Sequence, residues 1–223
     1  VDNVSVAVLG KKHVVSLAVT ALAAGGHLLL EDVPGTGKTS LARALANSVQ
    51  CTHNRVQFTP DLLPSDVTGT SIYDPIKQQF EFHAGPVFAN VVLADEINRA
   101  SPKTQSALLE VMEEGQVTID GITHEVPDPF MVIATQNPIE QAGTYRLPEA
   151  QLDRFLMKTA IGYPDQASTV ALLGGTAERD RARNVGHVVT SDVVGQLRGV
   201  ARRVFVSDEL LGYLHSVAEA TRG

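Results

Sequence analysis

An α/β fold with a parallel sheet flanked by helices is predicted by three features of this 223-residue sequence. Short apolar runs each end in a polar or glycine-rich turn, stretches of helical period lie between them, and one glycine-rich loop sits at a strand-to-helix junction. The first run is His27-Leu28-Leu29-Leu30-Glu31, followed by Asp32-Val33-Pro34-Gly35-Thr36-Gly37-Lys38-Thr39-Ser40. Leu41, Leu45 and Val49 then recur every four residues, as one buried helix face requires. Val91-Val92-Leu93-Ala94 and Phe130-Met131-Val132-Ile133-Ala134 repeat the strand pattern further along.

Taken in order, Val14 to Leu30 carries no charged residue, but Gly25-Gly26 breaks it, so it reads as helix, turn and strand and not as a membrane span. Lys11-Lys12 ahead of it and Ala21-Leu22-Ala23 within it imitate a secretion signal. Cleavage there would leave the glycine-rich loop almost at a new terminus, so the segment is expected to stay and the protein to be cytoplasmic. Between Phe58 and Ala89, Gly69, Pro75 and the alternating Gln79-Phe80-Glu81-Phe82-His83 indicate a hairpin insertion. Ser101 and Pro102 open a helix that closes at Gly115, with Leu108, Val111 and Met112 on its buried face. Gln116 to Ile119 and Ile122 to Val126 flank Asp120-Gly121, the pair that suits a type I′ hairpin turn. After Tyr163-Pro164 helices predominate, starting at Asp165, Ser191-Asp192 and Ser207-Asp208.

Composition narrows the function. With 43% hydrophobic residues the chain can bury roughly 70% of its unfolded surface, enough for one α/β domain and part of a second. The net charge of −7 supplies no broad basic face, which argues against binding driven by nucleic-acid phosphates. Cys51 is the single cysteine, so neither a disulfide framework nor a thiolate metal cluster is available. The seven histidines form no H-E-x-x-H pattern, and no serine lies in G-x-S-x-G.

The loop chemistry is that of a phosphate cradle. Gly35 and Gly37 allow several N–H groups to converge on an anion, backed by the positive end of the following helix. Lys38 would reach β- and γ-phosphates and the Thr39 hydroxyl would complete a Mg²⁺ shell. Asp32 stands where the strict G-x-x-x-x-G-K-[ST] pattern has glycine, so its carboxylate has to point away from the phosphates. At the end of the strand from Val91, Asp95 would hold Mg²⁺, directly or through water, and Glu96 would polarise a water for attack. The same Asp-Glu pair also occurs at ordinary strand ends that cap a helix. Asn137 has two readings, a donor to the γ-phosphate or a turn-former ahead of Pro138.

Asp95-Glu96-Ile97-Asn98-Arg99-Ala100 and Ala134-Thr135-Gln136-Asn137-Pro138, taken with the loop, resemble the AAA+ ATPases and within them the MoxR family. Gln57-Phe58-Thr59-Pro60-Asp61-Leu62-Leu63-Pro64-Ser65-Asp66 and Leu147-Pro148-Glu149-Ala150-Gln151-Leu152-Asp153-Arg154-Phe155 carry the resemblance more specifically, and it spans essentially the whole chain. It implies a P-loop AAA+ core over residues 1–162 with two hairpin insertions, then a partial all-helical lid over 163–223. It implies ATP and Mg²⁺ as cofactors, a Walker A loop from Asp32 through Val33, Pro34, Gly35, Thr36, Gly37 and Lys38 to Thr39 and Ser40, a Walker B pair at Asp95 and Glu96, and a sensor residue at Asn137. Arg154 would be an arginine finger acting in trans, with a surface or lid salt bridge as its other reading and Arg146 and Arg99 as the next candidates. Leu9-Gly10 lies where such ATPases pack the base, though a simple turn explains it equally.

The resemblance further implies a homo-oligomeric ring, commonly a hexamer, that remodels protein clients, among them proteins with von Willebrand factor A domains. A nucleotide-dependent binding switch with little turnover, or a helicase- or chelatase-like motor subunit, is the alternative; nucleic acid and membrane insertion are not expected. The hairpins either face a pore and substrate or are solvated surface features. MoxR-like chains continue past Thr221-Arg222 to a second sensor arginine, and a chain ending at Gly223 is expected to hydrolyse ATP slowly.

Overall fold

Alternation along the central strands sorts their side chains onto two faces, and that sorting sets the layers of the molecule. The computed structural model describes residues 1–31, 36–137, 144–173 and 181–221. Helices α1 (Asp2–Ser5) and α2 (Lys12–Ala24) precede strand β1 (Leu28–Glu31), after which come α3 (Lys38–Ser48) and β2 (His53–Gln57). Helix α4 (Pro64–Thr68) leads into hairpin β3 (Gly69–Asp74) and β4 (Gln79–Ala84), then β5 (Val91–Asp95), a 3₁₀ turn at Ile97–Arg99 and α5 (Pro102–Glu114). Hairpin β6 (Gln116–Ile119) and β7 (Ile122–Glu125) precedes β8 (Met131–Gln136), α6 (Glu149–Leu152) and β9 (Met157–Thr159). The chain then runs through α7 (Gln166–Leu173), a 3₁₀ turn at Arg181–Asn184, α8 (Ser191–Ala201) and α9 (Asp208–Ala220).

Strands pair in the order β2-β5-β8-β1-β9, all parallel. This is the α/β architecture expected from the sequence. Leu28, Leu30, Val91, Leu93, Met131 and Ile133 face α1, α2 and α3 in one core. Leu29, Val92, Ala94, Val132 and Ala134 face the other way, with Phe58 and the Leu108, Leu109 and Val111 face of α5. Strands covered on both sides need near-continuous apolar sequence, which is why β1, β5 and β8 are legible as runs.

The helix boundaries follow local chemistry. At α2 the C-cap Gly25 adopts φ 77°, and the Gly26 N–H donates to the Ala21 carbonyl at 2.9 Å, closing the last turn. Ser101 accepts from the Thr104 N–H to open α5, and Gly115 at φ 66° ends it. The Asp120-Gly121 turn has φ 52° and 77°, the two positive values a type I′ hairpin requires. Buried His27 ties the layers: its Nδ1 accepts from the Val132 N–H at 2.9 Å while its Nε2 faces the Met112 carbonyl at 3.1 Å. That pairing fixes the Nε2–H tautomer, and burial lowers the imidazole pKa.

The two hairpins touch. Phe82 on β4 stacks on His124 of β7 with ring centroids 3.9 Å apart. Past β9, Arg198 of α8 donates to the Leu22 carbonyl at 3.0 Å and to Asp128 at 2.7 Å, fastening α8 to the end of α2. No described helix is long and apolar enough to cross a membrane.

At the base of the first hairpin two backbones meet without room for a side chain. A Cβ on Gly69, at φ 93°, would lie 2.3 Å from the His83 carbonyl oxygen, and one on Gly85 would lie 2.3 Å from that of Val67. Gly69→Ala is therefore expected to cost about 2 kcal/mol or more in a denaturant titration. Gly195→Ala, in α8 with open space around it, is expected to gain up to about 1 kcal/mol instead.

Candidate nucleotide site

Because the strands are parallel, their carboxyl ends share one edge of the sheet, where ligands of open α/β sheets sit. A cavity of about 250 Å³ opens there. On one side stand Gly37, Lys38, Thr39 and Ser40 at the start of α3; on the other stand Arg55 and Gln57 of β2 with Asp95 and Glu96 at the end of β5. Gly37 takes φ 93°, a value open to glycine, and among the described residues no side chain caps the start of α3, where helix N–H groups can meet an anion. Asp32, Val33, Pro34 and Gly35, named for the cradle in the sequence, lie outside the described residues.

Asp95 is the centre of the polar network. It is 8% exposed. Its Oδ1 accepts from the Thr135 hydroxyl at 2.6 Å and faces Lys38 Nζ at 3.8 Å, while its Oδ2 accepts from Arg55 Nη2 at 2.7 Å. Burial pushes the Asp95 carboxyl up, but the hydrogen bonds from Thr135 and Arg55 and the charges of Lys38 and Arg55 outweigh it and hold the carboxyl below its ordinary value.

Glu96 is held in the left-handed region at φ 58°, unusual for a residue with a side chain. Its N–H donates to the Thr135 hydroxyl at 2.8 Å. Its Oε2 accepts from Gln57 Nε2 at 2.9 Å and from Arg99 Nη1 at 3.1 Å. The fully buried Thr135 on β8 thus orients both acidic residues, donating to one and accepting from the other.

The structure does not gather every residue singled out in the sequence. Lys38, Thr39, Ser40, Gly37, Asp95 and Glu96 line one cavity. Asn137 is buried just past the end of β8, its carbonyl accepting from Asn98 Nδ2 at 3.4 Å, and it is not among the cavity's lining residues. Arg154 is engaged within its own chain: Nη2 and Nε donate to Glu113 Oε2 at 2.6 and 2.9 Å. Gly10, at φ 70°, abuts the start of α7, where an added Cβ would lie 2.5 Å from Ser168 Oγ. Arg55, Gln57 and Thr135 are the site residues that sequence reasoning passed over. The usable signal for the first two was their i, i+2 spacing on one face of a strand leading into Phe58.

Residues 27–157 match the model of the ATPase family associated with various cellular activities (AAA). Over 218 residues the sequence is 45% identical to Chaperone MoxR1 of Mycobacterium tuberculosis, covering 96% of this chain and 56% of that protein. The chain belongs to the MoxR family of AAA+ ATPases. Uncharacterized protein YeaC of Bacillus subtilis is 49% identical over 222 residues, 100% of this chain and 69% of that protein. The crystal structure of an ATPase candidate from Cytophaga hutchinsonii aligns with a TM-score of 0.89 at 44% identity, covering 99% of this chain and 67% of the other. This MoxR-family chain therefore spans between about half and two thirds of the length of such relatives.

A MoxR-family AAA+ chain implies nucleotide binding, and the residues present fit a nucleotide with a divalent cation. The cavity sets the start of a helix and a lysine against an ionised carboxylate, with Thr39 also in its lining, which is the donor set that phosphates and a hard cation require.

Thr135→Val removes a donor to Asp95 and the acceptor of the Glu96 N–H, so the Asp95 carboxyl should titrate at higher pH than in the wild type, read by carboxyl-carbon NMR. Leaving the Glu96 N–H unpaired should cost about 1–3 kcal/mol. A depressed folded-state pKa contributes stability above the ordinary carboxylate range and loses it as pH falls through the folded value. The stability gap between wild type and variant should accordingly narrow on acidification below that range.

Proposed function

We propose that this chain binds ATP with Mg²⁺ and hydrolyses it as one subunit of a ring that remodels protein clients. The observation that carries the reading is the convergence of Lys38, Asp95 and Glu96 on one cavity at the start of α3. The glycine-rich loop from Asp32 to Ser40 would cradle the phosphates, with N–H groups at the start of α3 as donors, and Lys38 would turn from Asp95 to the β- and γ-oxygens. Thr39 and Asp95 hold the magnesium ion, whose contribution when bound is to neutralise charge across the phosphate oxygens. Glu96 takes the proton of the attacking water. Asn137 donates to the γ-phosphate from the end of β8, and Gly10 lies in the turn that packs beside the base. In this reading residues 1–162 form the nucleotide-binding core and residues 163–223 belong to a helical lid.

Arg154 completes the site of a neighbouring subunit. Its pair with Glu113 is partly exposed, the arginine at 34% and the glutamate at 57%, so releasing it costs on the order of 0–1 kcal/mol. An arginine supplied in trans is worth about 10³ to 10⁵ in rate, which makes assembly the switch on hydrolysis. Support for a chaperone-like role comes from the name of the Mycobacterium tuberculosis relative. A hexamer, clients with von Willebrand factor A domains and a cytoplasmic location extend that reading.

A binding switch with little turnover is the second reading, and one observation favours it: Gln57 and Arg99 both occupy Glu96 Oε2. Glu96→Gln separates the two. For a hydrolytic machine, the variant should bind MgATP as the wild type does and lose about 10²- to 10⁴-fold in phosphate release. A switch should show no change in phosphate release and keep its partner binding.

The trans arginine makes its own demand. Arg154→Ala and Lys38→Ala should each be inactive alone, the former with nucleotide affinity intact. Mixed, they should recover part of the ATPase rate, because a sound Lys38 from one subunit meets a sound Arg154 from the next.

A further inference from the structure

Arg55 is a second cation in the cavity, and neither the loop motif nor the acidic pair accounts for it. It sits on β2, the edge strand of the sheet, with its neighbour Gln57 in register with Asp95. One nitrogen does two things: Nη2 donates to Asp95 Oδ2 at 2.7 Å and to Gln57 Oε1 at 2.8 Å. The side chain is 49% exposed, whereas the Asp95 side chain it meets is 11% exposed.

This arrangement conflicts with metal uptake. Asp95 has two oxygens; Thr135 takes Oδ1 from a fully buried position, and Arg55 takes Oδ2 from a solvent-open one. A divalent cation drawn to Asp95 repels the guanidinium and competes for the oxygen it holds. The exposed partner gives way first, since an edge-strand arginine can rotate without disturbing the core. The anions beside it are then accounted for: Asp95 has gone to the metal, and Glu96 is already met by Gln57 and Arg99.

We propose that Arg55 is the residue by which this site selects a nucleoside triphosphate over a diphosphate, acting as an exchangeable counter-ion that leaves Asp95 for the terminal phosphate when the metal nucleotide enters. The inference rests on the nucleotide reading of the cavity given above. Direction is set by the hydrogen-bond chain from Arg55 through Gln57 to Glu96, which puts the guanidinium on the side where the attacking water is prepared. That is the γ-phosphate side, beyond the reach of a diphosphate. A guanidinium presents paired donors that match phosphate oxygens, so its loss is felt by the triphosphate alone.

The test is calorimetry on the purified protein with magnesium and either ADP or a slowly hydrolysed ATP analogue, comparing wild type, Arg55→Gln and Arg55→Lys. Arg55→Gln should weaken binding of the ATP analogue by about tenfold or more, the size of one charge-assisted hydrogen bond, and leave ADP binding within about twofold. Arg55→Lys should fall between wild type and Arg55→Gln for the analogue, keeping charge without the paired donors. In the absence of nucleotide, a manganese titration followed by electron paramagnetic resonance should show Arg55→Gln taking up the ion more readily than the wild type. Equal loss of both nucleotides, no loss of either, or unchanged manganese uptake would overturn the role of Arg55 while leaving the cavity as a nucleotide site. If the wild type takes up neither nucleotide and Lys38→Ala is indistinguishable from it, the cavity reading itself fails and takes this inference with it. An unchanged melting midpoint for Arg55→Gln marks the loss as one of contact; a collapsed midpoint together with equal loss of both nucleotides counts against the proposal.

Discussion

A carboxylate that stays ionised while mostly buried is the constraint from which the rest of this site follows. Asp95 lies at the end of a fully buried strand, and taking a lone carboxylate out of water costs several kcal/mol unless partners restore what water supplied. Thr135, Lys38 and Arg55 restore it from three different elements, β8, α3 and β2. Each partner is placed by the parallel register: β2 beside β5, β5 beside β8, β8 beside β1, with α3 starting where the loop after β1 ends. Slip any one strand by a residue and Asp95 loses a partner while that strand's apolar set turns to the wrong face. Fold and charge placement are therefore one specification.

The same parallel edge carries a second layer of interactions that steady the first. Glu31, at the end of β1, accepts from Gln136 of β8 and from Lys158 of β9, the latter at 2.8 Å, so the strand that launches the glycine-rich loop is fixed on both flanks. Gln105, buried on α5, donates to the carbonyls of Ile97, Ala100 and Tyr145, which pins the turn after Asp95 and Glu96 against the helix behind it. These contacts involve none of the groups assigned to the chemistry. They reduce the freedom of the elements that carry those groups, and a site for charged ligands gains most from groups that do not have to reorganise.

How much of this was legible in the sequence depends on whether the information was local. Strands β1, β5 and β8 are read directly, since burial on both faces demands unbroken apolar runs. Helix α5 is read from Ser101, Pro102 and Gly115, and the second hairpin from Asp120-Gly121, because caps and turns are decided by adjacent residues. Strand β2 was not legible: of His53-Asn54-Arg55-Val56-Gln57 only Val56 is buried, as befits an edge strand, so neither an apolar run nor a clean alternation announces it. With β2 unseen, Arg55 and Gln57 could not be placed against Asp95 and Glu96, residues about forty positions later whose proximity is a matter of register. Thr135 was legible as a strand residue but not as the link between two carboxylates, and the Arg154 to Glu113 pair joins elements whose contact no local pattern encodes. The family was legible because its motifs are the local signatures of these strand ends.

The most direct measurement of the central claim is a crystal structure of this protein with magnesium and a slowly hydrolysed ATP analogue. The account requires the triphosphate to lie on the N–H groups at the start of α3, with Lys38 Nζ moved from Asp95 to phosphate oxygens and Asp95 facing the metal. A triphosphate bound away from this sheet edge, or bound there with Lys38 still resting on Asp95, would contradict it.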